Sequence, residues 1–188
     1  SLPELAKCRS VMPQSVELSF DFSVMEVVLM GRSPHNPGWE TEEDLAIALQ
    51  CLEEVECADL KDRRFISLSG GEKQRVTLAR ILAQISNVEA PFLLMDEPTA
   101  NLDPDHQNKS MQSARKRADE GATVFVILHD FNMASKFADK IYILNEGVIT
   151  ADGTPEDVLT EDIIKRDFNV SVQIQKHPVH GKPLVIFL

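Results

Sequence analysis

The sequence predicts an α/β fold in which helices and strands alternate around a parallel sheet, after a small helical subdomain. Apolar segments at Pro91–Met95 and Thr123–Leu128 lack polar alternation, which is typical of strands covered on both faces of a sheet. Helix start signals at Ser69 and Asp103 alternate with these strands. Before Ser69, one short strand pattern at Arg9–Met12 is followed by consecutive helix signals, which favours a separate helical segment.

The helical segment is expected to contain two capped helices. Ser23 and Glu26 form a capping-box pattern that begins the first helix, and Gly31 is expected to end it. Thr41 begins the second helix, in which apolar residues recur on one face. That face is predicted to consist of Leu45, Ala48, Leu49, Leu52 and Val55.

Start and stop signals also divide the second half of the chain. The helix that begins at Ser69 should run towards Gln84, and the helix that begins at Asp103 should end at Gly121. Asn145-Glu146-Gly147 is typical of a hairpin turn between two strands. The remaining expected elements are two short helices beginning at Thr154 and Thr160, and a terminal hairpin pairing Val170–Gln175 with Leu184–Leu188.

The composition excludes several classes of protein. There are 19 Lys and Arg against 30 Asp and Glu, and the resulting net charge of −11 argues against a general nucleic-acid binder. The longest apolar runs are too short to cross a bilayer, and the first residues lack the pattern of a signal peptide. The three cysteines form no C-x-x-C pair, which favours a reduced, cytosolic compartment.

Two adjacent acids end the apolar strand before the Asp103 helix. A buried strand that ends in Asp96 and Glu97 delivers both side chains to the sheet edge at which α/β proteins bind ligands. One carboxylate can hold the water shell of Mg²⁺, and the other can orient or deprotonate an attacking water. The alternative is a simple strand end followed by a turn.

The segment Leu68–Gln74 is a second candidate site. Gly70 and Gly71 leave backbone N–H groups bare at a helix N-terminus, where the helix dipole favours an anion such as phosphate. Ser69 adds a hydroxyl, and Glu72 suits the third position of a capping box. Alone, this segment could also be an ordinary capped helix start.

Five motifs together resemble those of the ATP-binding-cassette (ABC) ATPases. In chain order, they are Gln14 (Q-loop), Leu68–Gln74 (signature motif), Leu93–Glu97 (Walker B strand), Ala100–Asp103 (D-loop) and His129 (switch histidine). They occur in the family's order, and the resemblance covers essentially the whole chain. It implies a P-loop NTPase (RecA-like) parallel-sheet core with an inserted α-helical subdomain and a C-terminal β-hairpin.

The resemblance also implies roles for single residues in ATP hydrolysis. Asp96 would hold Mg²⁺ through water, with Gln14 as a direct ligand that senses the γ-phosphate. Glu97 would be the general base, and His129 would contact the γ-phosphate and help to hold the attacking water.

A second copy of the chain is implied as a partner in a head-to-tail dimer. The residues expected to bind the nucleotide held by the other copy are Ser69, Gly70, Gly71 and Gln74. Asp103 would cross the same dimer interface.

The sequence departs from the family pattern at the phosphate-binding loop. No G-x-x-x-x-G-K-[ST] motif (Walker A) occurs, although the family places one before the Q-loop. We therefore expect a chain that lacks the N-terminal P-loop part and that alone hydrolyses ATP poorly or not at all. The expected division is residues 1–14 (end of the N-terminal part and Q-loop), 15–68 (helical subdomain), 69–168 (catalytic core) and 169–188 (terminal strand pair).

Three further segments resemble one group within the family. Val27–His35 and Leu78–Gln84 are similar to importers of iron chelates, haem and cobalamin, and His177–Val185 is most similar to the haem importers. The resemblance implies a bacterial ATPase subunit that binds a membrane permease dimer at the cytoplasmic face of the inner membrane and acts indirectly with a periplasmic binding protein.

Two alternative functions remain open from the sequence. The cargo could be a ferric siderophore or cobalamin instead of haem. A DNA-repair or chromosome-organising ATPase would carry a long heptad-patterned coiled coil between Gln14 and Ser69, and that interval shows no sustained heptads.

His177 and His180 offer only two ligands, which is an incomplete set for zinc.

Overall fold

Most helix boundaries lie where the sequence places its capping residues. A computed structural model describes residues 1–14, 20–36 and 38–188, so residues 15–19 and Pro37 of the predicted helical subdomain lie outside the described residues. The described chain divides into two units, Ser1–Ile127 and Leu128–Leu188. The four-part division read from the sequence stays a prediction.

The described residues of the first unit form five helices and three strands. In chain order these are α1 (Leu2–Cys8), β1 (Arg9–Met12), α2 (Val24–Leu29), α3 (Glu42–Glu54), α4 (Gly70–Ile85), β2 (Phe92–Asp96), α5 (Pro104–Asp119) and β3 (Thr123–Ile127). Three short 3₁₀ turns lie at Met30–Arg32, Ala58–Leu60 and Phe65–Ser67. Helix α1 was not predicted, although Ser1 and Glu4 form its capping box.

The three strands form a parallel sheet in the order β1-β2-β3, which confirms the predicted sheet type. Its buried face, which includes Met12, Leu93 and Met95, belongs to the same core as α2, α3 and α4. The prediction that the strands are covered on both faces is wrong. Val11, Phe92, Phe125 and Ile127 on the opposite face are 46–51% exposed, because apolar composition does not reveal what covers a face.

A buried ion pair fixes α3 against the segment before it. Arg32 Nε lies 2.8 Å from Asp44 Oδ1, and both side chains are almost fully buried. Burial alone would raise the pKa of Asp44, but hydrogen bonds from Arg32, Thr41 and Asn36 outweigh it and hold this pKa well below its usual range.

Two predictions about the helical segment are corrected by these contacts. Leu45 is 44% exposed, and Asp44 takes the buried position beside it because Arg32 pairs with its charge. Gly31 does not end the first helix, since a 3₁₀ turn continues through it to Arg32. A side chain at Gly31 would collide with the carbonyl oxygen of Arg80 in α4, so close packing explains the glycine.

The second unit contains two antiparallel hairpins and three short helices. Its elements are α6 (Phe131–Phe137), β4 (Ile141–Asn145), β5 (Val148–Gly153), α7 (Pro155–Val158), α8 (Glu161–Phe168), β6 (Val172–Lys176) and β7 (Pro183–Phe187). The predicted hairpins and the helix starts at Thr154 and Thr160 are confirmed. Buried Leu159, Ile164, Val172 and Val185 form its core.

The loop between β6 and β7 carries the two histidines noted in the sequence. The rings of His177 and His180 stack with their centroids 3.9 Å apart. Burial first, and then the nearby charge of His177, lowers the pKa of His180. Across the described ranges, no group of three or more His, Cys, Asp or Glu side chains is arranged to hold a metal ion. Within the same ranges, no helix has the length and apolar character needed to span a membrane.

Candidate active site

The acidic pair lies at the carboxyl end of β2, in a sharply turned backbone. Asp96 is the last residue of the strand, and Glu97 follows with a φ of +47°, in the left-handed region. The Glu97 N–H donates to the carbonyl oxygen of Ile127 at 3.2 Å, and the Glu97 carbonyl accepts from the Ala100 N–H at 3.1 Å. A positive φ is uncommon for a residue with a Cβ, and it turns the chain sharply after the strand.

Gln14 lies beside Glu97, as its predicted place in the same site requires. Its Nε2 donates a hydrogen bond to Glu97 Oε2 at 3.0 Å. Gln14 follows β1 by two residues, and β1 and β2 are parallel neighbours, so their carboxyl ends meet at one sheet edge. The structure therefore brings together two residues that are 83 positions apart in the chain.

The N-terminus of α4 has the predicted capping box. Glu72 Oε2 accepts from the Ser69 N–H at 2.7 Å, and Ser69 Oγ accepts from the Glu72 N–H at 3.3 Å. Hydrogen bonds from the Ser69 hydroxyl and then from its backbone N–H lower the pKa of Glu72. The cap satisfies the helix end while Gly70 and Gly71 keep the first turn free of side chains.

The loop before α5 packs closely against this helix end. Asn101 has a φ of +60°, and a Cβ added at Gly71 would lie 3.1 Å from its carbonyl oxygen. At Gly70 the nearest atom would be 3.8 Å away, an ordinary contact. Asp103 caps α5 and lies 2.7 Å from His106 Nδ1, and its pKa is lowered by hydrogen bonds from the His106 backbone and then its ring.

A groove of about 550 Å³ is lined by residues of the N-terminus of α4 and of the loop before α5. It is lined by Ser69, Gly70, Gly71, Glu72, Arg75, Asn101, Leu102, Asp103 and His106. The Arg75 guanidinium donates to the carbonyl oxygens of Val55 and Glu56, so this cation is held at the groove by the end of α3. Bare amides at a helix N-terminus next to a fixed cation suit an anionic ligand.

Gln74 makes a contact that the sequence did not indicate. Its side chain is 9% exposed, and its Nε2 donates to the carbonyl oxygen of Glu97 at 3.3 Å. Within the described part of the chain, Gln74 is not among the residues that line the groove. Its assignment as a nucleotide ligand stays a prediction.

His129 belongs to the second unit and follows β3 by two residues. Its side chain is exposed. The next residue, Asp130, caps α6 by accepting from the N–H groups of Asn132 and Met133 at 2.7 and 2.9 Å. The contact of His129 with a γ-phosphate stays a prediction.

The family model and the similar proteins described below both point to ABC transporters. A family model described as ABC transporter matches residues 2–100. The "Hemin import ATP-binding protein HmuV" of Gloeobacter violaceus is 46% identical over 188 residues, covering 97% of this chain and 68% of the relative. The protein of the same name from Plesiomonas shigelloides is 43% identical, covering 96% of this chain and 73% of the relative.

Solved structures show the same similarity. An inward-facing metal-chelate type ABC transporter superposes with a TM-score of 0.79 at 28% identity, covering 96% of this chain and 71% of that one. A dimeric bacterial ABC transporter cassette superposes with a TM-score of 0.71 at 30% identity, covering 82% and 66%.

Proposed function

We propose a function from one premise, which is that the chain belongs to the ABC transporter family. Its fold is that of the family's ATPase cassettes. The chain is the ATP-hydrolysing subunit of an importer, and it couples ATP binding and hydrolysis to the uptake of hemin through a membrane permease. The supporting relatives carry hemin import in their names and are 43–46% identical to this chain.

The contact between Gln14 and Glu97 is the observation that carries the catalytic part of this proposal. It places a carboxylate and an amide at one sheet edge, next to Asp96. Carboxylate and amide oxygens are the ligands that Mg²⁺ prefers, so the residues fit a magnesium site held by Asp96 and the amide oxygen of Gln14. Bound Mg²⁺ would neutralise charge on the phosphates.

Glu97 is the general base of the proposed reaction. Its carboxylate accepts the proton of the attacking water while the water oxygen forms a bond to the γ-phosphorus and the bond to ADP breaks. The hydrogen bond from Gln14 holds one carboxylate oxygen of Glu97, Oε2, at the sheet edge. His129 is proposed to contact the γ-phosphate.

The groove beside α4 supplies the other half of the site. Ser69 and the amides of Gly70 and Gly71 bind the γ-phosphate of ATP held by a second copy, and Asp103 crosses the interface between the copies. The open groove lined by these residues supports this arrangement. One structural relative is titled as a dimeric cassette.

The transporter partners follow from the same assignment. We place the chain at the cytoplasmic face of a bacterial inner membrane, bound to a permease dimer that receives cargo from a periplasmic binding protein. A ferric siderophore or cobalamin is the second candidate cargo, since one structural relative is a metal-chelate type transporter. α2 and α3, of 6 and 13 residues, are far shorter than the coiled coil of a chromosome-organising ATPase.

The test uses the intact protein, meaning this chain together with the phosphate-binding loop that the family places before Gln14. Reconstituted with its permease and binding protein in proteoliposomes, it should hydrolyse ATP faster with hemin than without cargo. Ferric siderophore and cobalamin serve as matched cargoes. Stimulation by one of them and not by hemin would reject hemin as the cargo, and a wild-type protein without ATPase activity would reject the proposed function.

A further inference from the structure

One hydrogen bond joins α4 to the backbone of the proposed general base. Gln74 lies just over one turn into α4 from Ser69, and its side chain is buried at 9% exposure. Its Nε2 donates to the carbonyl oxygen of Glu97 at 3.3 Å, across 23 positions of sequence. A buried amide is expected to have a hydrogen-bond partner, and here that partner is the peptide that follows the catalytic carboxylate.

The backbone of Glu97 needs such support because it adopts an unfavourable conformation. Its φ of +47° lies in the left-handed region, which costs free energy for a residue with a Cβ. The N–H group is fixed by the Ile127 carbonyl at 3.2 Å, and the carbonyl is fixed by the Ala100 N–H at 3.1 Å and by Gln74. Of these three bonds, only the one from Gln74 comes from a side chain.

We propose that Gln74 is a positioning residue that holds the turn at Glu97, so that the carboxylate faces the reacting water. The inference rests on the proposed function, since it takes Glu97 as the general base. The same helix presents Ser69, Gly70 and Gly71 to the groove. In the proposed dimer, these α4 residues bind the phosphate of ATP held by the second copy. Gln74 therefore connects this phosphate contact with the Glu97 carboxylate, which acts in the site of its own copy.

The test compares two variants of Gln74 in the intact protein. Gln74→Met keeps the length of the side chain and removes the donor. Gln74→Glu keeps the shape and polarity, but its carboxylate has no proton to donate to the Glu97 carbonyl. Both variants should lower kcat by roughly 10- to 100-fold, because small displacements of a catalytic group have effects of that size. The KM for ATP and ATP-dependent dimerisation should stay at wild-type values.

Gln107 provides a matched control. Its Nε2 donates to the carbonyl oxygens of Thr99 and Leu102 at 3.3 and 3.1 Å, in the same loop but away from Glu97. Gln107→Met should therefore lower kcat much less than Gln74→Met. An equal loss in both would mean that any loosening of the loop is enough, and would overturn the specific role of Gln74.

A double variant separates positioning from a structural or ligand role. In a Glu97→Gln background, Gln74→Met should cause no further loss of the residual ATPase rate, because the group that it positions is already gone. A further loss, a raised KM with weaker dimerisation, or a wild-type kcat in either folded Gln74 variant would each overturn the proposal. If Gln74→Met does not fold, Gln74→Glu decides. If the wild type is active and a Gln74 variant has the same kcat, this inference is wrong but the proposed function is not contradicted.

Discussion

The amide of Gln14 and the carboxylate of Glu97 meet at the carboxyl ends of two neighbouring parallel strands, with Nε2 and Oε2 3.0 Å apart. Gln14 follows the end of β1 by two residues and Glu97 follows β2 directly, so the pairing of β1 with β2 determines their distance. The carboxylate is half-buried, and its backbone is held in a left-handed turn. A site built in this way depends on the sheet for its geometry.

Replacing Glu97 by Gln tests the base directly. In the intact protein, Glu97→Gln should keep ATP binding and lower turnover by roughly 10²–10⁴-fold, since one acid–base group supplies about that much. Glu146→Gln is the control, because Glu146 is also a glutamate with a positive φ, of +50°, but is exposed and lies in the turn of the β4–β5 hairpin. The measurement is the steady-state ATPase rate. Equal rates in the two variants would contradict the assignment of Glu97 as the general base.

Replacing Ser69 by Arg tests the groove beside α4. Ser69→Arg should fill the groove with a bulky side chain and block ATP-dependent dimerisation, while each monomer still binds ATP. Ser171→Arg, at an exposed position of the second unit, is the control for added charge and size. Light scattering that still shows ATP-dependent dimers of Ser69→Arg would mean that Ser69 does not face the nucleotide.

The two glycines of α4 should differ in their tolerance of a methyl group. Gly71→Ala places a Cβ 3.1 Å from the Asn101 carbonyl oxygen, whereas Gly70→Ala makes only a 3.8 Å contact. Gly71→Ala should be less stable than Gly70→Ala by about 1–2 kcal/mol, a typical cost of overpacking. Urea unfolding of both variants measures the difference, and equal free energies of unfolding would show that the loop moves away at no cost.

The pKa of Asp44 gives a prediction about pH. This pKa is lower in the folded protein than the ordinary value of about 3.9, so the stabilisation is complete above that value and is lost as the pH falls below it. Asp44→Asn should lower the free energy of unfolding at neutral pH by about 3 kcal/mol, because it leaves Arg32 buried without its charge partner. Asp119→Asn, which breaks an exposed pair with Arg115, should change it little.

The measurement is urea unfolding of the Asp44 variant and the wild type at several pH values. As the pH falls below about 4, the wild type should lose more stability than Asp44→Asn, because only the wild type has this carboxylate, which takes up a proton in the unfolded chain before it does so in the folded protein. Parallel losses in the two proteins would show that other groups dominate the acid response.

The sequence predicts the parts of this molecule that depend on local signals. The helix starts predicted at Ser23, Thr41 and Ser69 are confirmed, since each depends on residues only three positions apart. The parallel sheet follows from the alternation of strands and helices. The burial of Asp44 in place of Leu45 could not be predicted, because it depends on a partner twelve positions away.

In the candidate site, too, the sequence predicts some features and not others. Its motifs predict Gln14, Glu97 and the glycines of α4 as site residues, and the structure places the first two in contact. The hydrogen bond from Gln74 to the Glu97 backbone could not be predicted from the sequence pattern. Tertiary packing determines whether such a side chain lies in a groove or contacts a neighbouring loop. The close approach of Gly31 to α4 is of the same kind.

The most direct test of the shared site is the ATPase rate of a mixture of two inactive proteins, Ser69→Arg and Glu97→Gln. In a head-to-tail dimer, Ser69→Arg blocks both sites of a pair of its own kind but only one site of a mixed pair. The other site of the mixed pair has the wild-type Ser69 of one copy and the wild-type Glu97 of the other. The account predicts that mixing restores ATPase activity well above that of either variant alone. A mixture that stays as inactive as its separate components would contradict the claim that α4 of one copy completes the site of the other.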